Sequence, residues 1–180
     1  MKSWIAASIA VLLAAGGCVF KEYRETAEYD LAPAAAPTVV RNISVMEFRN
    51  ESTSGPRMQR LLASGQVERD PYNRWVLEPG ELVGRGLNSR FDREKSSAAP
   101  RLLVRGKLRV FEYDAAGKCF RLAGAFCVGE ADKFGGTPEY IDFDIRVPQQ
   151  EFAPARIAAA ASIAVTELAL RIDAAAPKVK

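Results

Sequence analysis

The chain of 180 residues contains no histidine. That absence removes Ser-His and Cys-His nucleophile pairs, histidine acid–base chemistry and the commonest metal ligand together. There is no GxxxxGK[ST] phosphate loop, no GxSxG elbow and no CxxC pair. Gly84-Arg85-Gly86 comes nearest to a dinucleotide loop, but it lacks the third glycine and falls inside an expected helix. Long apolar runs are missing too. The longest, Trp4 to Ala15, falls short of the roughly 20 residues that cross a bilayer. A formal net charge of +3, with arginines spread along the chain, implies no polyanionic partner, and nucleic-acid binding is not expected. Two constellations invite a chemical reading. Lys95 beside Ser96 is a conceivable Ser-Lys pair, yet neighbours at a helix end need not face each other. Asp142 and Asp144 share one strand face, which reads as a solvated surface more readily than as a Ca²⁺ site. No catalytic residue, no metal site and no non-covalent cofactor are therefore expected.

What the chain does have is a distinctive beginning, MKSWIAASIAVLLAAGGC. Lys2 precedes the apolar run, and Ala15-Gly16-Gly17 supplies small side chains before Cys18. A short positive region, an apolar region and a small-residue cleavage zone make a secretory signal, residues 1–17. Cys18 directly after that zone resembles a bacterial lipobox. The resemblance implies a mature chain starting at Cys18 and carrying a diacylglycerol and an N-acyl chain there. A single chain binds a membrane only marginally, so multiple acyl chains are what make the anchor stable. Val19 follows where an inner-membrane lipoprotein of Gram-negative bacteria commonly has aspartate. By that resemblance the anchor lies in the outer membrane, with the domain facing the periplasm.

The two remaining cysteines, Cys119 and Cys127, would meet an oxidising compartment. On one extended strand they would stand about 26 Å apart at 3.3 Å per residue. A disulfide needs Cα atoms within about 7 Å, so they bond only if Leu122 to Ala125 folds as a tight turn. Ala123-Gly124 permits that turn without requiring it.

Residues 18–38 read as the lipidated start and a tether, because LAPAAAP offers nothing to bury. The domain is expected over residues 39–175, with a basic tail at 176–180 carrying Lys178 and Lys180. Ile43 to Phe48 suits a first strand. Met58 to Leu62 and Val67 to Tyr72 form a hairpin around Ser64-Gly65, with Asp70-Pro71 expected to break its ladder. Glu78-Pro79 opens a helix whose Leu82, Val83, Leu87 and Phe91 stripe carries it to about Lys95. Gly84 and Gly86 weaken that helix, and close packing on the sheet would be a reason to keep them. Leu102 to Tyr113 alternates, with Leu102, Val104, Leu108 and Val110 expected on the buried face. Strands over Lys118 to Glu130 and Ile141 to Val147 complete a meander, with a turn at Gly135-Gly136. Ile157, Ala161, Ala164, Leu168 and Ile172 keep the helical period in a last helix from about Ala155 to Ile172. The expected fold is α+β: one domain, a mixed, largely antiparallel sheet, and two helices on one face.

Tyr29-Asp30-Leu31-Ala32-Pro33, shortly after the acylated cysteine, resembles the Tyr-x-Leu-x-Pro segment of the ABC-type transport auxiliary lipoproteins. Arg74-Trp75-Val76-Leu77-Glu78-Pro79 and the amphipathic helix after it resemble that family's next landmark, one residue longer here than its pattern. The pair Cys119 and Cys127 also departs from it. The resemblance covers most of the mature chain. It implies a non-catalytic accessory of lipid transport across the envelope, with an MCE (mammalian cell entry) domain protein and an ABC permease as partners. Homo-oligomerisation stays open. Tyr72, Arg74 and Trp75 are the candidate docking surface, with Trp75 as a core residue the competing reading. The other functional class is a structural envelope lipoprotein, or one that chaperones an outer-membrane barrel.

Overall fold

The alternation that begins at Leu102 builds the frame. β5 (Leu102–Asp114), β6 (Cys119–Glu130) and β7 (Ile141–Pro148) pair antiparallel in chain order. The computed structural model describes residues 24–34, 38–39, 41–91, 102–131, 134 and 138–177. β1 (Ala27–Tyr29), β2 (Ile43–Asn50), β3 (Arg57–Leu61) and β4 (Val67–Trp75) extend the meander into a seven-stranded sheet. Its order is β1-β4-β3-β5-β6-β7. β2 lies beside the first half of β5, on the edge that β3 occupies further along. The β1–β4, β2–β5 and β3–β5 pairings are parallel, while the longest ladders are antiparallel. Helix α1 (Pro79–Asn88) packs on β2, helix α2 (Pro154–Ala175) packs on β6 and β7, and the helices touch each other. Among the described residues this is the expected α+β fold, a mixed sheet with two helices in a single domain.

The core lies between helices and sheet, and an aromatic chain marks its centre. Phe111 meets Trp75 edge-on at 5.0 Å and Phe120 at 5.1 Å. Such pairs add roughly 0.5–1.5 kcal/mol beyond the area they bury. Simple alternation places Phe111 on the face opposite Leu108. A register shift between Leu108 and Val110 reverses this, since the extra residue of a bulge moves every later side chain to the other face. Phe111 and Tyr113 thereby enter the core, and Val110 is only half-buried. On β6 the second face is buried as well. Ala123 lies between Val110 of β5 and Asp144 of β7, Ala125 between Lys107 and Asp142, and Cys127 opposite Arg105 of β5.

The expected stripe of α2, from Ile157 to Ile172, is buried throughout. Helix α1 is shorter than its sequence period suggests. It starts at Pro79 but ends at Asn88, and Phe91 leaves it to bridge Val39. Side chains of the following turn take the last carbonyls, with Ser89 Oγ and Arg90 Nη1 both donating to the Gly86 oxygen at 2.7 and 2.6 Å. Lys95, Ser96 and the expected turn at Gly135-Gly136 lie outside the described residues. The Asp70-Pro71 step does not end β4. Asp70 Oδ1 accepts the amides of Tyr72 and Asn73 at 2.8 and 3.0 Å, which holds a bulge, and the strand runs on to Trp75.

The largest departure concerns the tether. Ala27–Tyr29 is a strand of the sheet, and Leu31 is buried in the core. The Tyr29 oxygen accepts the Val76 amide at 3.0 Å, and Ala32 N–H donates to Ser162 Oγ at 2.9 Å. Asp30 pairs with Arg85 of α1. Alanine and proline indeed bury little, but Leu31 and the backbone around it do the anchoring. The folded domain therefore starts by Ala27, not at residue 39.

Candidate functional site

Cys18, expected to be acylated, and the expected signal before it lie outside the described residues, as do Lys178 and Lys180. The predicted docking residues Tyr72, Arg74 and Trp75 are brought together at the end of β4, where they serve the chain itself. Trp75 is buried in the core, so as a contact surface it is excluded. Arg74 pairs with Glu28 of β1, and Arg24 lies 5.1 Å from the centre of the Tyr72 ring. Glu28 stands opposite Arg74 and Tyr29 opposite Trp75 in the parallel β1–β4 ladder. The surface read as a place for a partner is thus where β1 docks.

Cys119 and Cys127 are free thiols on the same strand, β6. Leu122 to Ala125 is strand and not a turn, so the extended case holds and a bond between them is excluded. Burial pushes both thiols up from their ordinary pKa, which keeps them protonated and poorly nucleophilic. Asp142 and Asp144 are occupied by arginines. Arg109 donates to Asp142 at 2.9 Å, and Asp144 receives Arg121 at 2.9 and 3.1 Å and Arg146 at 3.1 Å. The Arg121 hydrogen bonds hold the Asp144 carboxyl below the usual carboxylate range, which is the signature of an ion pair. Among the described residues, no three side chains of metal-ligating type cluster as a metal site requires.

A concavity lies between β2 and α1, a groove of about 950 Å³. It follows from how α1 approaches the strand. Gly80, Gly84 and Asn88 recur every four residues and so form one stripe along the helix. A Cβ on Gly80 would stand 2.2 Å from the Phe48 oxygen, so the first turn reaches the strand backbone itself. At the other end Asn88 Oδ1 accepts the Val45 amide at 3.1 Å. Between these two contacts Gly84 leaves a notch, flanked by Met46, Glu47 and Arg49 on the strand and Glu81 and Arg85 on the helix. Met46 is 55% exposed. The two glycines the sequence singles out differ. Gly86 gives a close approach to Leu31 and to Val165 of the other helix, not to the sheet, whereas a Cβ on Gly84 would make only an ordinary contact with Val45 Cγ1 at 3.9 Å.

Sequence reading offered no sign of Arg90. Its guanidinium is buried at 2% exposure and joins the two helices through neutral acceptors. It donates to Gly86 O at 2.6 Å, Thr166 Oγ1 at 2.7 Å and Ser162 O at 3.0 Å. Gly86 lies in the last turn of α1, where the negative end of the helix dipole favours a cation. Burial lowers the Arg90 pKa, and among the described residues no carboxylate opposes it.

Compared by sequence, the chain matches no family model and no curated protein. Compared by structure, it is similar to a crystal structure of a Xanthomonas campestris protein of the DUF330 family, with a TM-score of 0.63 and 18% identity over 82% of this chain and 92% of that one. A second crystal structure, of an uncharacterised protein, gives a TM-score of 0.61 at 11% identity over 83% of this chain and 97% of that one. At such identities the likeness establishes the fold.

Proposed function

We propose that this protein is a lipid-anchored, non-catalytic accessory component of an ABC-type, MCE-linked lipid transport system of the cell envelope. The observation that carries this reading is the pairing of the two stretches that suggest the family. Tyr29 to Pro33 and Arg74 to Pro79 lie far apart in sequence, yet Tyr29 stands opposite Trp75 in adjacent strands. Landmarks that support each other within one unit are what a shared fold would leave in a sequence.

In this reading Cys18 carries the acyl chains in the outer membrane, and the domain faces the periplasm. Since the fold begins by Ala27, the chain between them spans at most about 30 Å. The domain would stand close above the bilayer. It would align or receive the lipid conduit of an MCE-domain protein, with energy supplied by an ATPase elsewhere. A Cys18→Ser chain should lose acyl labelling and leave the membrane fraction, and genes for an MCE protein and an ABC permease should lie beside its own. Unchanged labelling would remove the anchor, and a neighbourhood without either gene would remove the transport role.

A further inference from the structure

We propose that the groove between β2 and α1 is the docking site for a segment of a partner protein that carries an apolar side chain flanked by lysine or arginine. The inference rests on the groove alone and not on the identity of the transport partner. A volume of about 950 Å³ is ample for one or more side chains. Its floor is Gly84, where a Cβ would meet only Val45 Cγ1, at an ordinary 3.9 Å. Glycine costs a helix up to about 1 kcal/mol relative to alanine, and here nothing in the fold requires it. What the missing side chain leaves is the notch. Met46 forms one exposed apolar wall, on a side chain that adapts readily to different shapes.

Charge decides which segment fits. Glu47, Glu78 and Glu81 line the groove, are exposed, and have no ion pair among the described residues. Of the two cations that line it, Arg85 is engaged by Asp30, which leaves Arg49. An apolar notch between carboxylates favours a basic flank and repels an acidic one. Glu78 and Glu81 also offset the positive end of the α1 dipole, so helix stability has to be followed separately.

The test is fluorescence anisotropy of a labelled Lys-Leu-Lys-Leu-Lys peptide with the full chain in neutral detergent, against a Glu-Leu-Glu-Leu-Glu control. The basic peptide should bind at least tenfold tighter, and the preference should shrink as salt rises. Glu78→Lys with Glu81→Lys should weaken it at least tenfold, and Gly84→Leu should fill the notch and abolish binding. Circular dichroism establishes that each variant is folded; should Gly84→Leu fail to fold, the charge reversal decides alone. Equal binding of the acidic peptide, unchanged affinity after charge reversal, or no binding up to millimolar peptide would overturn the proposal. Lys178 and Lys180 share the ligand's chemistry, so removal of residues 178–180 should leave affinity unchanged. A tenfold gain would assign the groove to the chain's own end and overturn the partner assignment.

Discussion

Leu31 Cδ1 lies 2.6 Å from the point where a Cβ on Gly86 would stand. The segment that follows the N-terminal region is thus keyed into α1 at a position where only a glycine leaves room. Val165 of α2 closes the same spot, at 3.2 Å from that point. Leu31 therefore packs on α1 where α2 also arrives, Ala32 N–H donates to Ser162 Oγ of α2, and β1 just before it pairs with β4.

Leu31→Ala should destabilise the domain by about 2–4 kcal/mol, because a buried leucine leaves both its transfer free energy and a cavity. Urea unfolding measures this. A change below about 0.5 kcal/mol would return the segment to the role of a tether.

Gly80→Ala and Gly84→Ala should shift stability in opposite directions. At residue 80 the added carbon meets the Phe48 oxygen at 2.2 Å, and overpacking of that kind costs about 1–3 kcal/mol. At residue 84 it meets nothing closer than 3.9 Å, so the helix gains up to about 1 kcal/mol. Thermal unfolding of the pair checks the sign, and a shared sign would refute the packing of α1 on β2.

Arg90→Met should cost about 1–3 kcal/mol, since the charged donor shared by Gly86 O, Ser162 O and Thr166 Oγ1 is lost, while Ser89 Oγ still serves the first and Thr166 Oγ1 the second. Arg90→Lys should not rescue it, because one ammonium cannot span acceptors arranged around a planar fork. Full rescue by lysine, measured by denaturant midpoint, would mean that charge and not geometry joins the helices.

Two carboxyls should give the stability curve opposite slopes. Arg121 lowers the Asp144 pKa, so that contribution is present above the ordinary carboxylate range and is lost as pH falls through the folded value. Burial raises the Glu112 pKa, so its cost appears as pH rises through the folded value. Asp144→Asn should therefore weaken the domain at neutral pH and converge with the parent in acid. Glu112→Gln should strengthen it at neutral pH and converge likewise. Denaturant midpoints across the acid range decide both, and a Glu112→Gln variant weakened at neutral pH would contradict its burial.

Periodic stretches carried most of the fold into view. The β5–β6–β7 meander and α2 repeat their apolar positions often enough that packing could only follow them. Features that depend on a single residue did not announce themselves. The bulge near Arg109 inverts the second half of β5 with no change in residue type. β1 is three residues long and pairs parallel with a strand far along the chain, so no local pattern marks it. Arg90 looks like any surface arginine until the turn after Asn88 directs it between the helices. Trp75 is conspicuous in the sequence for a related reason: it is a core residue on the strand segment that pairs with β1, as the competing reading had it, and Arg74 beside it pairs with Glu28. The groove between β2 and α1 had only one trace, a helical glycine at residue 84 that no close contact requires.

The central claim, an anchored domain serving an envelope lipid transporter, is tested most directly by cross-linking intact cells and purifying the full chain from their membranes. Mass spectrometry of the recovered complex should identify an MCE-domain protein and an ABC permease, and both should be lost when Cys18→Ser releases the chain. Recovery of an outer-membrane β-barrel protein in their place, or of neither partner, would contradict the account.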